Sequence, residues 1–343
     1  MERDSIRATL VGFVVAGCVF AVMYWLVDAE AVVTAIVRAD VGLVAVVGGM
    51  ILLWNLSWGV ALWSVLRTQD TAVPLGRSIL LHAATAFANH VTPLGQAGGE
   101  PITAWLITRT VETDYEVGLA SVASFDAVHL LPSLSFATVG AVYLVATTTL
   151  AGSELGYLPV AVVVVAVGFP VLGFVVWRYR RSLGGRVSGS VARGIRRVAD
   201  LLPGVPTPDL VSVYDRMTGF VEAVERVATD RRRLALALGF SALGWVFQAI
   251  GLWVAFESLS ASIPVYLPFL VVPIGATGGG LPTPGGLGGI EAVNVSLLTL
   301  LTAVNPATIA AAVTIHSVGG YLLTTSLGAA ATSVLGLKNF SWE

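Results

Sequence analysis

Long apolar runs recur along the whole chain and restrict its fold more than any other feature. An α-helix needs about 20 predominantly apolar residues to cross a bilayer. Segments of this kind lie near 8–27, 41–66, 117–147, 157–177, 233–256 and 307–335. The first run exceeds the apolar core of a signal peptide, so we interpret it as a retained span. Charged residues make up only 12% of the chain, whereas soluble domains carry about 25%. The sequence predicts an all-α polytopic membrane protein.

Two further apolar regions, 75–109 and 264–303, are interrupted by the same motif. The stretch "TPLGQAGGE" occupies 92–100 and "TPGGLGGIE" occupies 283–291, and both have the form Thr-Pro-x-Gly-x4-Glu. Proline ends a helix, and glycine allows a tight reversal of the backbone. The stretches on either side of each break have about 16–18 residues at most, which suits partial penetration of a bilayer. Each region is therefore either a re-entrant hairpin or a closely turned pair of spans, and we favour two re-entrant helical hairpins beside about six full spans.

The two motifs lie 191 residues apart, and this offset also aligns residues beyond them. It places Trp54 on Trp245, with no gap between that pair and the motifs. The alignment indicates an internal repeat. The chain then divides into a first half (1–177), a connection (178–232) and the completion of a second half (233–343).

The placement of arginines predicts the orientation, because cytoplasmic loops of membrane proteins are rich in Lys and Arg. Twelve arginines lie in 178–233, so we expect this connection and both termini in the cytoplasm. The first hairpin then begins and ends inside, and the second begins and ends outside. The halves are predicted to form an inverted repeat in the plasma membrane, an architecture common among secondary transporters.

The repeated glutamates, Glu100 and Glu291, stand where the returning half of each hairpin begins. A carboxylate at a helix start is favoured by the unpaired N–H groups and the helix dipole. On this interpretation each glutamate caps its own helix. The alternative is that both face one cavity and bind a cation, a proton or a headgroup, since ionisable residues inside membranes are usually functional.

Further polar residues near the breaks are candidates for the same site. Asp126 and His129 share a helix face and fit a proton relay, a headgroup contact or a buried structural pair. Asn89, His90 and Gln96 could hold a phosphate together with glycine N–H groups, or satisfy carbonyls freed by proline. The backbone positions expected to shape the hairpin tips are Thr92, Pro93, Gly95, Thr283, Pro284 and Gly286.

No motif in the sequence calls for a cofactor, a metal or a nucleic acid. Cys18 is the single cysteine, and the four histidines are scattered, so no zinc motif can be assembled. The stretch "GGGLPTPGGLGG" lacks the Lys-Ser/Thr of a nucleotide-binding P-loop. The basic, amphipathic segment 178–200 could lie on the anionic cytoplasmic leaflet. Membrane lipids are therefore the expected partners, and the sequence leaves the oligomeric state open.

Together, "NHVTPLGQAGGEP" and "GGGLPTPGGLGGIEA", the layout of the spans and the basic connection resemble the lysylphosphatidylglycerol synthase transmembrane-region family. The resemblance extends over essentially the whole chain. It implies the membrane half of such proteins, which is thought to move lipids between leaflets. Stand-alone archaeal members are linked to polyprenyl-phosphate sugar carriers. The sequence stops at Glu343, so we do not expect the synthase activity that a further acyltransferase domain would carry.

The leading hypothesis is a lipid translocase in which a polar headgroup passes between the hairpins while the apolar tail stays in lipid. Without an ATPase motif, movement would be downhill or coupled to an ion such as a proton. A transporter of a small solute or ion could use the same hairpins. An intramembrane lipid-modifying enzyme, with the glutamates as acid and base, and a purely structural subunit are further alternatives.

Overall fold

The fold is that of a computed structural model, which describes residues 2–92, 95–147, 210–281 and 283–336. All regular elements in these ranges are helical. The α-helices are α1 (Glu2–Val27), α2 (Ala29–Val37), α3 (Val41–Leu66), α4 (Leu75–Val91), α5 (Gly95–Val111), α6 (Tyr115–Thr147), α7 (Leu210–Thr229), α8 (Arg231–Ser258), α9 (Tyr266–Gly275), α10 (Gly289–Leu301), α11 (Pro306–Val313) and α12 (Gly319–Val334). A π-helical turn, Thr314–Val318, joins α11 to α12, and 3-10 turns lie at Arg67–Gln69, Ala276–Gly280 and Pro284–Gly286.

Six stretches within the described ranges are long and apolar enough to cross a membrane. They are Thr9–Val27, Val41–Gln69, Tyr115–Leu144, Arg231–Ser258, Pro284–Leu301 and Pro306–Val334. The predicted all-α class with several spans is confirmed. Pro284–Leu301 qualifies although we assigned it to a hairpin, because the 3-10 turn at the break leads almost directly into α10. The predicted span 157–177, the basic segment 178–200 and the predicted boundary at 177 lie outside the described residues.

Helices α3 and α8 form the central pair of the fold and run antiparallel. The N–H of Asp40 donates to the carbonyl of Ser258 (2.8 Å) at one end, and Trp58 Nε1 donates to the carbonyl of Ser241 (3.3 Å) further along. Carboxylate caps help to fix where both helices begin, because Asp40 accepts from the N–H of Leu43 and Asp230 from that of Arg233. Such caps stabilise a helix by about 1 kcal/mol each.

A glycine in α8 lets this central pair approach closely. A Cβ at Gly244 would overlap the indole of Trp58, whereas a Cβ at Gly239 in the same helix would have no atom within 4 Å. Gly244→Ala is therefore expected to lower stability by about 1–3 kcal/mol, the usual effect of overpacking a core. Gly239→Ala is the matched control. We would measure thermal unfolding in detergent by tryptophan fluorescence, and equal melting temperatures for the two variants would contradict the close packing.

Helix boundaries in the two parts of the chain repeat at the 191-residue offset of the motifs. Adding 191 to the residue numbers of α3 gives 232–257, close to the observed Arg231–Ser258 of α8. The same addition to the first residue of α4 gives Tyr266, where α9 begins. The start of α6 coincides in the same way with the start of α11 at Pro306. The offset read from the sequence therefore also relates the helices.

The part of the connection that the structure describes contains α7, which docks at the end of α3. Arg226 Nε donates to Gln69 Oε1 (2.9 Å), and Gln69 Nε2 donates to the carbonyl of Ala223 (2.9 Å). Gln69 is buried in this contact. The connection is thus tied to the first half through a side chain in the 3-10 turn.

Candidate functional site

Helix α4 packs along α12, and this contact fixes the depth of the first break. A Cβ at Gly328 would lie 2.5 Å from Phe87 Cβ, so the two helices touch closely there. Three residues after Phe87, the ring of His90 stacks on Tyr321 with centroids 4.3 Å apart. Tyr321 lies near the middle of the Pro306–Val334 span. The end of α4, and with it the first break, therefore lies about halfway along that span.

His90 is held in place from two sides by α12. Its Nδ1 lies 2.7 Å from Thr325 Oγ1, and the Tyr321 hydroxyl donates to its backbone carbonyl over 2.8 Å. Thr92 Oγ1 donates to the carbonyl of Ala88 (2.6 Å) and so occupies an acceptor in the last turn of α4. Pro93 and the side chain of Gln96 lie outside the described residues, and Gly95 begins α5.

The second break contacts the same stacked rings, those of His90 and Tyr321. Gly285 lies in the 3-10 turn Pro284–Gly286, and a Cβ on it would come within 2.8 Å of His90 Cδ2 and 2.7 Å of Tyr321 Cε2. Gly286 follows with a positive φ of 74°. Thr283, one residue before the turn, is fully buried. The second motif thus contacts His90 at the end of α4, two residues before the first motif.

Gly285→Ala is expected to separate the two breaks. The φ of Gly285 is 62°, a value that costs a residue with a Cβ about 1 kcal/mol, and the added methyl group would strike both rings. Gly280→Ala is the control, since a Cβ there has no atom within 4 Å. We expect Gly285→Ala to lower the melting temperature and to release His90, whose imidazole proton resonances would shift. An unchanged His90 resonance would contradict the contact.

Glu291 is almost completely enclosed, with 1% of its surface exposed. Its Oε2 accepts from the N–H of Gly288 over 2.6 Å, and its Oε1 accepts from Ser317 Oγ over 2.5 Å. The first bond caps its own helix, α10. The second ties that helix to the π-helical turn. This carboxylate therefore has protein donors on both oxygens.

Three polar side chains of the π-helical turn contact different parts of the fold. Thr314 Oγ1 lies 2.8 Å from the Tyr24 hydroxyl of α1. His316 lies against Gly251 of α8, where a Cβ would be 3.2 Å from its Cδ2. Ser317 donates to Glu291. Single π turns inside α-helices are frequent at functional sites, and this one links α1, α8 and α10.

Glu100 has surroundings unlike those of its repeat partner. It is exposed, although the preceding Gly99 is buried against α4, where a Cβ would overlap the Asn89 amide. Its carboxyl group interacts electrostatically with that of Asp126 on α6. Moved by 191 residues, Asp126 falls on Ser317. The second half thus pairs a carboxylate with a hydroxyl, whereas the first half has a second carboxyl group, Asp126, at the equivalent position.

His129, one turn beyond Asp126, belongs to a buried aromatic cluster. Its Nδ1 lies 2.8 Å from the carbonyl of Phe125, and its ring centroid lies 4.3 Å from that of Trp58. Trp245 Nε1 donates to the carbonyl of His129 (3.1 Å). Trp54 and Trp245, which the repeat offset superposes, both pack on Trp58. The predicted site residues on α6 therefore adjoin the central pair.

Several contacts of the site involve residues that the sequence reasoning did not select. They are Tyr24, Asn294, Ser317, Tyr321 and Thr325. Ser317 could have been found by applying the 191-residue offset to Asp126. For the others, no sequence signal separates them from ordinary polar residues of apolar helices. Asn294 is 2% exposed, and a Cβ at Gly275 would overlap its amide. The Asn294 side chain therefore packs α10 closely against α9.

Comparison with known proteins agrees with the resemblance read from the motifs. The family model described as "Lysylphosphatidylglycerol synthase TM region" matches residues 9–328. Two relatives from Methanothermobacter thermautotrophicus strain Delta H each carry the name "UPF0104 membrane protein". One is 25% identical over 298 residues, covering 84% of this chain and 80% of the relative. The other is 22% identical over 281 residues, covering 80% of each.

Proposed function

Because the chain belongs to the lysylphosphatidylglycerol synthase TM-region family, we propose that it is a lipid translocase. It moves a polar lipid headgroup, such as that of a phospholipid or a polyprenyl-phosphate sugar, between the leaflets of the plasma membrane. The observation that carries the proposal is the contact of the second motif with His90, at the first break and about halfway along the last span. Substrate sites of inverted-repeat transporters lie at such a depth, where interrupted helices come together.

The inverted repeat is supported by the direction of the central helices. Helices α3 and α8 correspond at the 191-residue offset and run antiparallel, as two copies of opposite membrane orientation would. Breaks at mid-depth support two re-entrant hairpins, α4–α5 and α9–α10, entering from opposite faces. Helix α4 has 17 residues, about 25 Å at 1.5 Å per residue, which is short for a full crossing. In this arrangement both termini are cytoplasmic.

The two glutamates take different parts in this proposal. Glu291, with donors on both oxygens, holds the second hairpin to the last span and keeps the break in place. Glu100 and Asp126 form the polar part of the headgroup path, and Asn89 and His90 at the end of α4 line the first break. Gln96, whose side chain lies outside the described residues, is proposed as a further headgroup contact. Carboxyl groups inside a membrane require a proton, a cation or a polar headgroup as a partner.

The exposure of Glu100 favours a lipid over a small solute as the substrate. A solute transporter needs a cavity sealed from lipid, and its ionisable residues face inward. Glu100 is exposed at the protein surface, and the exposed apolar side chains of Leu130 and Leu131 follow on α6, within two turns of Asp126. A headgroup can reach the carboxyl pair from the side while its tail remains among apolar side chains.

The test is transbilayer movement in liposomes that carry the purified protein. Phospholipid and polyprenyl-phosphate-sugar probes, labelled on the headgroup side, are compared with and without a pH gradient. We expect movement of at least one class well above that in protein-free liposomes. Movement of neither class above the protein-free rate, under either condition, would contradict translocation.

A further inference from the structure

A layer of buried and half-buried side chains packs against the central helices. We define the Trp58 layer as Trp58, His82, Phe125, His129 and Trp245. The ring of Trp58 lies 6.1 Å from His82, 4.3 Å from His129 and 5.5 Å from Trp245, between centroids. Phe125 contacts both histidines, at 5.8 Å and 4.1 Å. The layer thus joins α3, α4, α6 and α8 in one cross-section.

The hydrogen bonds within this layer leave polar atoms without partners. His129 uses Nδ1 to donate to the carbonyl of Phe125, because a carbonyl can only accept. Its Nε2 is then an acceptor, and it is buried with no donor among the described residues. His82 is 6% exposed, and its Nδ1 also has no partner in the described part of the chain. Buried imidazoles without partners are costly.

Two buried serine hydroxyls, on the helices that carry Phe125 and Trp245, are in the same situation. Ser124 precedes Phe125 and is 5% exposed, and Ser241 lies one turn before Trp245 and is fully buried. Neither hydroxyl has a partner within residues 2–92, 95–147, 210–281 and 283–336. The serines offer donors and the imidazoles offer an acceptor, yet no direct bond joins them. Groups of this kind are normally connected by buried water, which makes about three hydrogen bonds to such atoms.

We propose that the Trp58 layer binds internal water, with His82 and His129 as its principal ligands, and that this water leads protons to Asp126. Asp126 lies one turn from His129 on the same helix face, and its carboxyl group interacts electrostatically with that of Glu100. The ionisable groups around the water are therefore His82 on α4, Glu100 on α5, and Asp126 and His129 on α6. Helices α3 and α8 contribute Trp58, Ser241 and Trp245, which bear no charge.

The inference deepens the proposed function, since a proton path to the headgroup site would couple lipid movement to a proton gradient. Only that coupling depends on translocation. The water itself can be detected in the protein without any substrate. A failure of the water test would leave the lipid assay unaffected, and a failure of the lipid assay would leave the water in place.

The single cysteine makes a direct test possible. In a Cys18→Ser background, Ser124→Cys or Ser241→Cys introduces one thiol of nearly the same size as the serine hydroxyl. Its S–H stretching band is followed by infrared spectroscopy after transfer of the folded protein into D2O. The control is Ala255→Cys, on the same helix as Ser241 and fully buried in the apolar core.

Thiols at positions 124 and 241 are expected to convert to S–D at least about tenfold faster than the control, because a dry site exchanges only when the structure opens locally. Adding His129→Phe should slow exchange at 124 toward the control rate. Equal rates at all three positions would overturn the proposal. So would fast exchange at 124 that His129→Phe leaves unchanged, since the histidines would then not hold the water.

Discussion

Replacing Glu100 by glutamine is expected to slow transbilayer lipid movement by at least about tenfold, the effect of losing one hydrogen bond to a charged group. The melting temperature should stay the same, because Glu100 is exposed. The neighbouring Asp126→Asn variant should show a similar loss, and combining the two should add little. Residues that act as one unit are strongly non-additive. Initial rates in liposomes with equal protein content give the comparison.

The control for this prediction is Glu112→Gln. Glu112 is also exposed and lies just after α5. The variant therefore removes a carboxylate at the far end of α5, away from the break. It should move lipid at the wild-type rate. If Glu100→Gln is as active as Glu112→Gln, the first-half carboxyl pair is not part of the headgroup path.

Sequence reasoning located the spans because their signal is local. A continuous apolar run requires a membrane or a core whatever surrounds it, and Val41–Gln69 and Arg231–Ser258 follow directly. Helix α2 was not foreseen in the stretch between the first two predicted spans. It forms because Asp28 adopts a φ of 71° and its side chain accepts from the N–H groups of Glu30 and Ala31. Positive φ at a non-glycine residue has little sequence signature.

The site was predicted in part, and the part that was missed depends on contacts between distant residues. The 191-residue offset selected Glu100 and Glu291 together and therefore suggested equal roles. Their difference arises from their partners, Asp126 and Ser317, which occupy equivalent positions with different chemistry. The π-helical turn that presents Ser317 is held by Tyr24, 290 residues from Thr314. No local pattern predicts a turn that is stabilised in this way.

Glu291→Ala is expected to destabilise the protein by about 2–4 kcal/mol, the combined effect of losing a helix cap and leaving buried donors unpaired. The N–H of Gly288 and the hydroxyl of Ser317 would both lose their acceptor. Glu291→Gln keeps one carbonyl oxygen and should lose less. Thermal unfolding in detergent, followed by tryptophan fluorescence, gives the order wild type, Glu291→Gln, Glu291→Ala. The yield of folded protein after purification is expected to follow the same order.

A double-mutant cycle with Ser317→Ala distinguishes a structural role of Glu291 from a direct role in transport. If the bond between Glu291 and Ser317 holds the last span to α10, the two single changes overlap, and the double variant is less destabilised than their sum. Lipid movement by Ser317→Ala should then fall only as far as its stability falls. A Glu291→Gln variant with the wild-type melting temperature and no lipid movement would instead place Glu291 in the headgroup path, beside Glu100.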